Sequence, residues 1–191
     1  MFKNQTQKVI GICILGVLLT LGLSMTTLAA SQNDPGITLG VEVDALPYLS
    51  GGHYISGVIG FDHYNLRLIR TKTTIPGFVT PKGYKDWDLD VNAVIVDYFP
   101  DENREGLWLA GGVEFWDSRI QNKNTGDSGK FSQKILTLGC GYVYKLSDHW
   151  YINPWAALHY NLSDENVTVG SGNLKLPNLM YEGSVKLGYQ F

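Results

Sequence analysis

The stretch that most constrains this fold is Asn178–Phe191, NLMYEGSVKLGYQF. Tyr181, Val185, Leu187, Tyr189 and Phe191 fall on one face, and Glu182, Ser184, Lys186, Gly188 and Gln190 on the other. A side-chain period of two belongs to a strand, with one apolar and one polar face. In a soluble sandwich the apolar face meets a second sheet. In a membrane barrel it meets lipid, and the polar face lines the interior.

The opposite end of the chain separates these two. Lys3 and Lys8 precede an uninterrupted apolar run, Val9–Leu23, followed by SMTTLAA. This is the pattern of a secretory signal peptide, cut after Ala29 or Ala30. The run falls short of the ~20 residues that a spanning helix needs. The expected division is a signal peptide over residues 1–30 and one domain over residues 31–191. Residues 1–30 hold two lysines and no acid, so the remaining chain has 15 − 2 = 13 basic and 18 acidic side chains, net −5. That balance gives no support for nucleic-acid binding. Cys13 lies in the apolar run, which leaves Cys140 without a disulfide partner. No later segment has the length of a spanning helix, so a membrane form of this protein is a barrel.

The remaining sequence divides into eight alternating runs: about Ile37–Leu46, His53–Phe61, Tyr64–Thr74, Asp86–Phe99, Leu107–Ile120, Phe131–Leu146, Trp150–Leu162 and the terminal stretch. Most have the length that a tilted strand needs to cross a bilayer. The connections at 62–63, 100–106 and 147–149 are short. Those at 47–52, 75–85, 121–130 and 163–177 are longer on the whole, and this asymmetry fits a barrel with periplasmic turns and external loops. Trp87, Tyr98, Phe99, Trp150, Tyr189 and Phe191 lie near strand ends, where aromatic girdles form. Pro154 stands within the seventh run and cannot donate to a ladder. A bulge at Asn153-Pro154, or a strand beginning at Trp155, would accommodate it.

The leader, alternation, loop asymmetry and terminal Phe191 resemble those of the small eight-stranded bacterial outer-membrane barrels of the OmpA, OmpX and OmpW types. The expected fold is an all-β, eight-stranded antiparallel up-and-down transmembrane barrel in the outer membrane of a Gram-negative cell. The resemblance implies a structural, surface-binding or minor transport role without catalysis. It implies outer-membrane lipid and lipopolysaccharide as surroundings. It also implies that the last strand, through Tyr189 and Phe191, engages the barrel-assembly machinery. Outer loops Ile75–Lys85, Gln121–Lys130 and Ser163–Pro177 would make external contacts.

The polar faces gather Glu42, Asp44, Arg67, Asp88, Asp90, Glu114, Lys145, Glu182 and Lys186, with His159 and Asn161. Eight strands enclose just enough room for side chains, so these charges are expected to pair as a structural network. A narrow solute channel is the competing use of the same interior. A second competitor rests on His159 and Glu182, expected inward on adjacent strands. They are similar to the His-x-Ser and Glu elements of lipid A 3-O-deacylases, which implies hydrolysis of a lipid ester. Here the motif reads His159-Tyr160-Asn161, with an amide at the nucleophile position. Ser163 and Ser184 are the available hydroxyls. The His and Cys spacing holds no metal-binding pattern, and no cofactor is expected.

Overall fold

In a computed structural model of the chain, residues 36–191 are described, and the expected signal peptide lies outside them. The elements are β1 (Thr38–Asp44), a single helical turn α1 (Ala45–Leu49), β2 (His53–Phe61), β3 (Tyr64–Ile75), β4 (Tyr84–Tyr98), β5 (Gly106–Asn122), β6 (Ser128–Lys145), β7 (Trp150–Asn161), β8 (Asn166–Val169), β9 (Gly172–Lys175) and β10 (Leu179–Gln190). Eight of the strands close into an antiparallel barrel in the order β1-β10-β7-β6-β5-β4-β3-β2, while β8 and β9 form a separate hairpin. The terminal run Asn178–Phe191 supplies the closing strand. It pairs with β1 from Gly40–Gln190 to Asp44–Lys186, and with β7 along its whole length.

The expected turn at 47–52 begins as α1, whose N-terminus is capped by the Asp44 carboxylate accepting from Leu46 N–H at 2.9 Å. Pro154 needs neither bulge nor late start. β7 runs straight through it, and its register against β10 is unbroken. The ladder to β6 is interrupted between the Gly141–Trp155 and Tyr144–Ile152 pairs. The Pro154 carbonyl points to the β6 side, 2.6 Å from where a Cβ on Gly141 would stand. The missing N–H therefore costs bonds to β6 only.

The wall is uneven. β1 and β2 are short, whereas β4, β5 and β6 have 15, 17 and 18 residues. Half of the expected loop Gln121–Lys130 is strand for this reason, with residues 123–127 connecting β5 to β6. Cross-strand register explains the extra length. Across β3–β6 the outward row Leu68, Val94, Val113, Leu136 is apolar. Nearer the long loops, the outward rows are Arg70–Asn92–Phe115–Lys134, Lys72–Asp90–Asp117–Ser132 and Thr74–Asp88–Arg119–Lys130. The outer surface thus changes from apolar to polar within one row.

The interior changes in the opposite sense. Behind the polar outer rows, Trp87, Leu89, Val91, Trp116, Ile120 and Ile135 fill the barrel. The β8–β9 hairpin adds Val169, Leu174 and the following Leu176 to this cluster. The expected loop Ser163–Pro177 is therefore folded into the mouth of the barrel, and part of it is core. At the short-turn end, Phe99, Trp108, Val143 and Tyr151 form a second apolar cluster. Trp87 and Phe99 consequently belong to the two plugs and not to a girdle. Tyr98, Trp150, Tyr189 and Phe191 do lie outside. Around them Phe61–Tyr64, Tyr64–Tyr98 and Trp150–Tyr189 place ring centroids 5.8, 5.5 and 4.9 Å apart.

Candidate functional site in the barrel interior

Next to the short-turn cluster, and sharing Trp108 and Tyr151 with it, lies a polar layer. Period-two alternation turns Glu42 and Asp44 of β1, Arg67 of β3, Asp97 of β4, Trp108 of β5, Tyr151, Asn153 and Trp155 of β7, and Lys186 of β10 inward. Arg67 Nε lies 3.3 Å from Glu42 Oε2 and 2.9 Å from Asp97 Oδ2, with all three side chains at most 2% exposed. Glu42 Oε1 also accepts from Tyr151 O–H and Asn153 Nδ2, both at 3.1 Å. Asn153 Oδ1 accepts from Trp108 Nε1 at 3.0 Å, and the Arg67 guanidinium lies 4.7 Å from that indole. Asp44 accepts from Trp155 Nε1 and Ser184 O–H, each at 2.6 Å. Lys186 Nζ sits 4.6 Å from the Trp155 ring centroid, and Tyr54 and Trp108 flank it more distantly.

Two glycines make these reaches possible. A Cβ on Gly141 would collide with the Trp108 ring, and one on Gly188 with the Tyr151 ring. The large rings therefore lie across the inner wall and meet partners two strands away. Charges that leave water must be paired; here Arg67 lies between Glu42 and Asp97, and Lys186 rests against the Trp155 ring.

A second polar layer lies toward the long loops. Thr137 faces His159 directly across β6–β7, with Thr137 Oγ1 3.0 Å from His159 Nδ1 and donating to Glu114 Oε1 at 2.8 Å. Trp116 Nε1 donates to Glu114 Oε2 at 2.7 Å. His159 lies 3.5 Å from Glu114 through Nδ1 and 3.5 Å from Glu182 through Nε2. Glu182, opposite Ala157, is its diagonal neighbour on β10. The expected His159–Glu182 meeting is present, but no serine joins it. Ser163 Oγ accepts from the Lys134 backbone N–H, and Ser184 O–H donates to Asp44. Asn161, in the motif's nucleophile position, accepts from Ser163 N–H. The hydroxyl on His159 is Thr137, buried at 5% exposure between imidazole and carboxylate.

Three expected members of the network stand elsewhere. Asp88 and Asp90 point outward, in contact with Thr74, Arg70 and Lys72. Alternation alone would turn the apolar face of β4 outward; at this height the apolar face is the plug and the polar face is the exterior. Lys145 lies at the short-turn rim, 3.3 Å from Gln190 and 3.9 Å from Glu105. Asp97 was missed through the same inversion, since it shares a parity with Trp87 and Leu89. The signal for it lies in the other face of β4, where Asp88, Asp90 and Asn92 give way to Val94, Val96 and Tyr98. That change marks the height at which the outer surface turns from polar to apolar.

Neither a family model nor a curated protein matches this sequence. Among solved structures, the N-terminal β-barrel domain of Pseudomonas aeruginosa OprF is similar, with TM-score 0.54 at 14% identity over 82% of this chain and 98% of that one. Neisserial surface protein A (NspA) aligns with TM-score 0.47 at 13% identity, covering 83% and 98%. Acinetobacter baumannii CarO aligns with TM-score 0.42 at 16% identity, covering 84% and 100%. The OprF likeness shows a shared eight-stranded barrel fold.

Proposed function

We propose that this chain is an integral outer-membrane barrel whose interior is a structural core, with a role carried on its surface and not by conduction or catalysis. The observation supporting this is the opposition of its two surfaces. Outside, Leu39, Val41, Leu68, Val94, Val113, Leu138, Leu158 and Leu187 are exposed around the whole barrel. A soluble monomer rarely leaves an apolar surface of that extent to water. Inside, packed aromatic and aliphatic side chains occupy both ends of the barrel, while Glu182 in the second polar layer keeps 39% of its side chain exposed. Toward the short turns, the interior leaves a cavity of only about 20 Å3 beside Asn65, Arg104 and Tyr151, room for one water.

The hydrolase reading has the His159–Glu182 contact in its favour, but the imidazole is buried under Trp116, 5.5 Å between rings. Its second carboxylate, Glu114, makes a structural ion cluster the better account. Planar-bilayer conductance tests the proposed role. With heat-modifiable gel mobility verifying the folded barrel, no current steps are expected in either polarity. Regular ohmic steps would overturn the closed interior.

A further inference from the structure

The outward apolar band has a notch. At Gly57 of β2 the absent side chain leaves an open groove of about 450 Å3 flanked by Val41, Ile55 and Leu68. A Cβ on Gly57 would meet nothing within 4 Å. Arg70 and Asn92 also line the groove, and both stand in the first polar row above the apolar band. The notch thus runs from hydrocarbon height to the polar frontier.

Charge at that frontier is distinctive. Arg70 donates to Asp90 and Asn92 at 2.8 Å each, and Lys72 lies 3.4 Å from the same Asp90. Arg70 lines the groove and Lys72 stands one row beyond it; the two share Asp90, which faces Asp117 across β4–β5. The outward belt of β3–β6 carries Arg70, Lys72, Arg119, Lys130 and Lys134 against Asp88, Asp90 and Asp117, a balance of +2, in a chain whose net charge is −3. Arginine and lysine side by side suit a phosphate ester.

We infer that this groove is a binding site for one phosphorylated glycolipid of the lipid A type. An acyl chain lies in the notch at Gly57, and a sugar phosphate sits on Arg70 and Lys72. The depth of the polar belt favours a glycolipid over a glycerophospholipid. From Arg70 to Thr74 it spans about 13 Å of strand, a height that matches a stacked sugar-phosphate headgroup better than a single phosphodiester. The inference rests on the membrane reading above.

Native mass spectrometry of the detergent-purified full chain tests it. The titrants are bisphosphorylated lipid A, the same lipid A stripped of phosphate, and phosphatidylglycerol. Bisphosphorylated lipid A is expected to bind about tenfold more tightly than either of the others, the scale of one good charge-assisted contact. Gly57→Leu fills the notch and lowers lipid A affinity. The double change Arg70→Gln, Lys72→Gln removes the phosphate preference and leaves the heat-modifiable fold intact. Equal binding of phosphatidylglycerol overturns the site, as does wild-type affinity in both variants. Should Gly57→Leu fail to fold, the double variant decides. A protein that stays soluble without detergent defeats the membrane reading itself, whereas one that needs detergent but shows no lipid preference defeats only the groove.

Discussion

Arg67 shows what a single residue contributes to this interior. Its guanidinium holds Glu42 and Asp97 together in a layer that water does not reach. Removing one partner of a buried pair strands the others, at about 3–5 kcal/mol. Arg67→Ala is expected to lower stability by that amount in urea unfolding from liposomes. Arg67→Met combined with Glu42→Gln and Asp97→Asn should recover most of the loss, since the three charges that depend on one another are then removed together. The sequence made Glu42, Asp44, Arg67, Glu114, Glu182 and Lys186 readable as inward by parity alone. It did not reveal that Trp108, Tyr151 and Asn153 complete their hydrogen bonds. Those contacts cross between strands that are not neighbours, over the space left by Gly141 and Gly188, and no spacing along the chain encodes them.

Among elements, the β8–β9 hairpin departs furthest from its reading as an external loop. Its alternation is short, and its buried residues, Val169 and Leu174, join a cluster built mainly on β4–β6. Outside the core it is tethered by Glu165, which accepts from Asn178 Nδ2 at 2.6 Å and lies 3.3 Å from Lys175. The Asn178 hydrogen bond, then the Lys175 contacts, hold the Glu165 pKa below the usual carboxylate value. A carboxylate lowered in the folded state stabilises it above the unfolded pKa and loses that contribution as pH falls through the lowered value. Amide hydrogen exchange in the hairpin should therefore quicken as pH falls below the ordinary glutamate range, after correction for intrinsic rates. Glu165→Gln should flatten that change, and an identical pH profile in the variant would count against the tether. Strands β1, β2, β7 and β10 were legible nearly to their ends, because one face is an apolar exterior and the other a polar layer along most of their length. β4 was half legible, since both its faces are apolar at different heights.

On the scale of the whole molecule, the account is a barrel in two zones. Within the apolar band the outside is greasy and the inside charged. Beyond it, β3–β6 rise with a polar exterior around an apolar plug. This inversion is what the proposed passage from lipid to water requires, because each surface takes the polarity opposite to the one it would have in the other solvent. Strand number and closure followed from alternation and turn placement, but the height of the frontier became visible only from cross-strand register. The most direct test uses Cys140, an outward residue of β6 between Leu138 and Tyr142. With Cys13 changed to serine, a nitroxide on Cys140 in liposomes reports its solvent by collision with oxygen or with a water-soluble nickel chelate. The account predicts high oxygen and low nickel accessibility. Free access of the nickel chelate to Cys140 would contradict it.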